Sequence, residues 1–269
     1  MDLPTVVITG ATDGQGRGLA LALATEPLRL VLHGRDAARG EQLLADCRAV
    51  RADVDVSYLR ADFASLAEIA KLSDELGALS RLDVLVNNAG IGVELGRRQS
   101  EDGYEMAFQV DYLAGYVLSC KLISQVAAVS GRIVNVSSAG QAPIDFDNVM
   151  LERNWQGGQS YCQAKLAQIM LTFSLASTAA AGSATVNALH PASYMPTKIV
   201  THLFTPQSTL AEGVENVRSL ARDQRWSGVS GQYFNRQSVG TAHNQAYDPG
   251  ARSALIALSE SLTGVAFPS

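Results

Sequence analysis

TVVITGATDGQGRGLALALA, residues 5–24, is the stretch whose reading decides the fold. A β-branched apolar run ends at Thr9, a glycine-rich turn follows, and an apolar helical stretch begins at Gly18. Glycines at 10, 14 and 16 permit a tight turn and close approach of the backbone to a phosphate. The helix N-terminus behind them favours negative charge. Gly10, Thr12, Asp13, Gly14, Gln15 and Gly16 are therefore candidate nucleotide-binding residues. An ordinary strand-to-helix turn is the competing reading, so the neighbouring segments have to decide.

They continue the same alternation. Strands are expected at 5–9, 28–33, 56–60, 82–87, 132–137 and 184–190, separated by helical stretches, with Ser65 and Asp36 placed as helix caps. Most of these strands are apolar throughout, as parallel strands covered on both faces are. The pattern predicts an α/β fold: a single Rossmann-type, doubly wound parallel sheet of about seven strands, with helices on both faces. No repeat or linker divides residues 1–269, which read as one domain. Two regions break the rhythm, 140–159 and 192–230, and extra segments after strand ends usually shape the ligand site.

Composition narrows the partners. The chain has 269 residues, 47% of them hydrophobic, with 21 Lys plus Arg against 26 Asp plus Glu, a net charge of -5. This mild acidity without a basic run argues against nucleic acid. Three cysteines, Cys47, Cys120 and Cys162, read as free thiols of a reducing compartment. With no signal peptide or membrane span in view, a soluble cytoplasmic protein is expected. His190 and His202 lack the cluster that a metal site needs, so no metal is expected.

The second strand indicates which nucleotide. RLVLHGRD puts Gly34 and Arg35 at its C-terminal end, where an acid would serve a ribose hydroxyl and an arginine a 2′-phosphate. Arg35 favours NADP(H) over NAD(H), with Arg17 available to assist. A solvated loop arginine is the alternative.

Two further pieces carry chemistry. RIVNVSSAG ends a strand with Ser137 and Ser138, and YCQAKLAQ places Tyr161 and Lys165 four apart on one helix face. A tyrosine in water, with a pKa of about 10, is a poor base at neutral pH. An ammonium one turn away stabilises the phenolate.

With these pieces in place, the sequence resembles the short-chain dehydrogenase/reductase family over nearly its whole length. The resemblance rests on TGATDGQG (9–16), ADF (61–63), NNAG (87–90), VNVSS (134–138), YCQAK (161–165) and HPASYMPT (190–197). It implies that Tyr161 is the general acid/base, Lys165 its modulator and a nicotinamide-ribose ligand, and Ser138 the donor to the substrate oxygen, with Ser137 the alternative. It also implies that Asp62 and Phe63 meet the adenine, that Asn88, Ala89 and Gly90 support the ribose side, and that Pro191 and Thr197 flank the nicotinamide. Within the family the chain is most similar to the retinol-dehydrogenase-like or WW-domain-oxidoreductase-like branch, in a bacterial style without a membrane anchor. The 23 residues from Ser138 to Tyr161, longer than is common in the family, leave an insert beside the site.

The resemblance predicts hydride transfer between NADP(H) and a small-molecule carbonyl or alcohol, within a homodimer or homotetramer packed through helical surfaces near 101–126 and 160–180. Tyr194, Met195, Ile199, Leu203 and Phe204 of the lid and Trp155 of the insert suggest an apolar substrate, or simply packing of the lid onto the body. Ala192 stands where glycine is common, a small backbone adjustment. The main departure is Asp111 in FQVDYLAG, where the family usually has asparagine. It is a candidate catalytic residue that could pair with Lys165, or a tolerated variant. Two alternatives keep the fold: a non-redox reaction such as cyclisation, dehydration or isomerisation, and a non-catalytic NADP(H)-binding protein.

Overall fold

The computed structural model describes residues 3–269. Seven strands run parallel: β1 (Thr5–Ile8), β2 (Arg29–Gly34), β3 (Asp55–Arg60), β4 (Val84–Asn87), β5 (Arg132–Val136), β6 (Thr185–His190) and β7 (Tyr233–Asn235). A two-residue strand, β8 (Ser238–Val239), adds an antiparallel edge, and the order is β3-β2-β1-β4-β5-β6-β7-β8. The six expected strands form within two residues of their expected limits. The sequence predicts about seven strands but does not locate the last two, because three-residue and two-residue segments carry too little periodicity to stand out.

Helices cover both faces. α1 (Gly14–Leu23), α2 (Ala37–Val50) and α7 (Leu210–Arg222) pack on one, through residues such as Leu19, Leu43 and Val217 against Val6, Ile8 and Val86. α3 (Leu66–Gly77), α4 (Ala114–Ala127), α5 (Gly157–Ala176) and α8 (Pro249–Thr263) pack on the other, against Val7, Leu85 and Ile133. Alternate residues of one strand thus feed two cores, which is why the strands are apolar throughout. Asp36 caps α2 by accepting from the Arg39 N–H at 3.1 Å. Ser65 occupies the cap position of α3 without using its side chain, and Asp102 accepts from the Leu66 N–H at 2.8 Å instead.

The order reverses between β1 and β4, so their C-terminal ends open a crevice, the usual ligand position in such sheets. α8 and the tail meet the stretch 104–116, where Tyr104, Tyr112 and Tyr116 bond Leu262 O, Ser259 Oγ and Val265 O at 3.0, 2.7 and 2.9 Å. Part of the 101–126 surface expected to form subunit contacts is therefore packed within the chain. The three cysteines are unpaired. Among the described residues no helix is long and apolar enough to cross a membrane.

His33, at the end of β2, braces the first glycine of the turn. Its Nδ1 accepts from the Gly10 N–H at 3.4 Å, its Nε2 donates to Ala61 O at 3.0 Å, and its ring stacks on Phe63 with centroids 4.4 Å apart. Burial holds its imidazole down to about 4, against 6.5 when exposed, and burial likewise holds His190 at about 4. Both stay neutral in the native state, whereas the unfolded chain takes up protons below 6.5. Their stabilisation is fully present above that value and is lost as the pH falls toward 4. Each should cost about 2 kcal/mol of stability between about pH 7 and pH 5. Denaturant unfolding of the wild type and His33→Gln at both pH values should show roughly half that pH dependence in the variant. Equal dependence would rule out His33 as a source.

Candidate active site

β5 ends in two serines with different surroundings. Ser137 Oγ donates to Lys165 O on α5 at 2.7 Å and is buried, so its hydroxyl is committed to holding strand to helix. Ser138 Oγ accepts from the Gly140 N–H at 3.0 Å and is hydrogen-bonded to the Tyr161 hydroxyl. α5 brings Tyr161 and Lys165 to the same crevice, with Lys165 Nζ 5.5 Å from the Tyr161 ring centre.

Asp111 lies in this cluster. Residues Phe108–Leu113 form a π-helical turn before α4, a widened geometry often found at functional sites. Asp111 Oδ1 accepts from the Ile91 N–H at 2.7 Å, and Oδ2 lies 3.1 Å from Lys165 Nζ, which also donates to Val136 O at 3.3 Å. The Asp111 and Lys165 side chains are 0% and 6% exposed. Off-axis geometry makes the contact an ion pair rather than an aligned hydrogen bond. Gly90 leaves room for the carboxylate: a Cβ there would sit 3.1 Å from Asp111 Oδ2.

The three titrating groups are coupled. Burial raises Asp111 above the usual carboxylate range, opposed by Lys165 and the Ile91 N–H. Burial alone would depress Lys165, but Asp111 and Tyr161 outweigh it and raise it. Burial raises Tyr161, with Lys165 and Ser138 pulling down and Asp111 pushing up.

The residues of the glycine turn fit a dinucleotide. Gly10 and Gly14 have φ of +64° and +49°. A Cβ on Gly16 would sit 2.2 Å from Gly10 O, and one on Gly10 2.6 Å from Ala89 Cα. Asn88 Nδ2 donates to Thr9 O at 2.8 Å and Gly10 O at 3.2 Å, and the Asn88 and Ala89 N–H groups both reach Thr9 Oγ1 at 3.0 Å. Asn88 and Ala89 thus brace the turn. Asp13 caps α1 and pairs with Lys198 at 2.9 Å and Arg39 at 3.1 Å. Thr12, Asp13, Arg17, Arg39, Asp46 and Lys198 line a depression of about 300 Å3. Arg17 is bound to Asp46 at 2.7 Å, whereas Arg35 is exposed, with no carboxylate in ion-pair reach among the described residues. Gln15 is buried and its Nε2 has no partner among the described residues. Asp62 Oδ1 accepts from the Ala64 N–H at 3.0 Å, and the Phe63 ring is buried on His33.

The two irregular regions border this crevice. Pro191 O accepts from Asn216 Nδ2 at 2.7 Å, and Thr197 opens α6 (Lys198–Thr201) with its Cγ2 3.2 Å from a Cβ built on Gly14. Tyr194 and Phe204 pair with ring centres 5.0 Å apart, and both are exposed, as is Ile199. His190 Nε2 meets Ser193 Oγ at 3.0 Å, and the exposed His202 meets Lys198 O at 2.9 Å. Trp155 Nε1 donates to buried Glu105 at 3.3 Å, which also accepts from Ser160 Oγ at 2.7 Å. Sequence reasoning missed Glu105, His33 and Tyr233, whose hydroxyl donates to Ser138 O at 3.1 Å. Nothing local marks a lone polar residue whose partner lies far along the chain.

The family model for short chain dehydrogenases matches residues 4–208. Human retinol dehydrogenase 13 is 31% identical over 293 aligned positions, spanning 98% of this chain and 86% of its own. A Streptomyces sp. (strain C5) protein assigned as the daunorubicin C-13 ketoreductase DnrU is 38% identical over 170 positions, 62% of this chain and 58% of its own. The structure of a short-chain dehydrogenase from Sphingobium yanoikuyae in complex with NADPH superposes with a TM-score of 0.68 at 27% identity, covering 81% of this chain and 84% of that one. With the glycine turn, the serine-ended β5 and the Tyr161–Lys165 pair converging on one crevice, the chain belongs to the short-chain dehydrogenase/reductase family, in its retinol-dehydrogenase-like branch.

Proposed function

We propose that the protein is an NADP(H)-dependent oxidoreductase that interconverts an apolar aldehyde or ketone and its alcohol, with Tyr161 as general acid/base. The observation that carries this reading is the cluster of Ser138, Tyr161 and Lys165 at the C-terminal end of β5, next to a glycine turn that no side chain could fill. When bound, the nicotinamide would exchange a hydride with the substrate carbon. The turn residues 10–16 would hold the pyrophosphate by backbone N–H groups at the start of α1. Asp62 and Phe63 would border the adenine, Gly90 the ribose, and Pro191 and Thr197 the nicotinamide side.

The chain manages the proton. Ser138, hydrogen-bonded to Tyr161, would turn its hydroxyl to the substrate oxygen, where charge develops during reduction. Tyr161 delivers its hydroxyl proton to that oxygen, or removes it in the reverse direction. Lys165 offers its ammonium to the phenolate left behind. The exposed Tyr194, Ile199 and Phe204 of the lid support an apolar substrate, as do relatives named for retinol and for daunorubicin C-13 ketoreduction.

Tyr161→Phe should abolish NADPH-dependent reduction across a panel of apolar aldehydes and ketones that includes retinaldehyde, while NADPH affinity measured by fluorescence stays within about threefold. Retained turnover in that variant would refute the assignment. Arg35 is the free guanidinium at the end of β2, and losing a charge-assisted phosphate contact costs about 1.5–3 kcal/mol. Arg35→Ala should therefore weaken NADPH binding by about tenfold or more and leave NADH binding nearly unchanged. Equal weakening of both would remove Arg35 from 2′-phosphate recognition.

A further inference from the structure

We infer that the buried Asp111–Lys165 ion pair biases the site toward carbonyl reduction, with Asp111 acting as a positioning residue that keeps Tyr161 in its proton-donating form. The inference rests on the proposed role of Tyr161 and concerns how that role is tuned.

Burial raises Asp111, and two contacts oppose that burial in favour of the anion. Its Oδ1 is held by the Ile91 N–H at 2.7 Å and its Oδ2 faces the Lys165 ammonium at 3.1 Å, and both contacts favour the anion. Neither side chain can turn to water, because they are 0% and 6% exposed. An ammonium with a carboxylate at this distance presents a weakened field to any third group, and in a site shielded from solvent that loss is not screened away. The third group is the Tyr161 hydroxyl.

The groups that face Tyr161 come from several elements. α5 supplies Lys165 and Cys162, the segment after β5 supplies Ser138, β7 supplies Tyr233, and the π-helical turn supplies Asp111, which Glu105 in turn faces. Lys165 is the cation of the set, and Asp111 is its buried ion-pair partner.

The consequence is directional. In reduction, a hydride released from a C–H bond of the reduced nicotinamide would form the new C–H bond, and the carbonyl π pair would move onto oxygen. That oxygen would take the Tyr161 proton, and the phenolate would be reprotonated from solvent. That step needs a phenol at working pH, which the ion pair preserves. Oxidation needs the phenolate, which the ion pair disfavours, so the alcohol-oxidising activity is displaced to alkaline pH.

Tyrosinate absorbance tests this without substrate or cofactor, with the Tyr161→Phe protein subtracted to isolate the Tyr161 signal. The wild-type midpoint is expected at or above the ordinary value of about 10, and Asp111→Asn should lower it by about one unit, a tenfold change in proton affinity. A wild-type midpoint below about 8, or no lowering in Asp111→Asn, would overturn the inference. If Asp111→Asn does not fold, the wild-type midpoint decides alone. Failure here leaves hydride transfer standing, whereas an active Tyr161→Phe enzyme would remove the reading beneath it.

Discussion

The site is organised by one buried charge. Lys165 lies on a helix packed among apolar side chains, and an ammonium there without a partner would cost several kcal/mol. Its partners are Asp111 and Val136 O, so α5, the π-helical turn and the end of β5 have to meet at one point. Ser137 fastens the backbone of Lys165 to the same strand end. Ser138 and Tyr161 are consequently held where a carbonyl oxygen could reach both. Breaking the pair on either side would leave a charge stranded in the interior, which makes the geometry of the site inseparable from the stability of its surroundings.

A second locked unit sits across the crevice. The glycine turn is braced by Asn88 and Ala89 through Thr9, and by His33 through the Gly10 N–H. These contacts use neutral groups, so the turn keeps its backbone shape while α1 presents its positive end. The two units share β4: Asn88 follows it into the turn, and Gly90 opens space for Asp111. Cofactor cradle and proton site are thus set by consecutive residues of one segment, NNAG.

The sequence made the architecture legible where the physics is local. Apolar β-branched runs, glycines that need positive φ and a Tyr/Lys pair one helical turn apart all leave signatures within a few residues. An acid in an apolar helix demands a cation, and the family resemblance is what offers Lys165 as that cation. Other parts depend on contacts between distant segments. The π-helical turn that aims Asp111, the contact of Glu105 with Trp155 and the packing of α8 on Tyr112 have no local periodicity to betray them. Trp155 shows the limit well: the sequence marks an aromatic residue in an insert beside the site, but not the buried carboxylate that its indole N–H meets.

The central claim is that this crevice moves a hydride between a nicotinamide and a carbonyl carbon while Tyr161 moves the proton. Incubating the wild-type protein with NADPH deuterated at its transferable position, together with an aldehyde it consumes, tests that claim most directly. Mass spectrometry of the product should find one deuterium on the new carbinol carbon, in step with cofactor oxidation. Product without deuterium, or deuterated cofactor bound and never consumed across the carbonyl panel, would contradict the account.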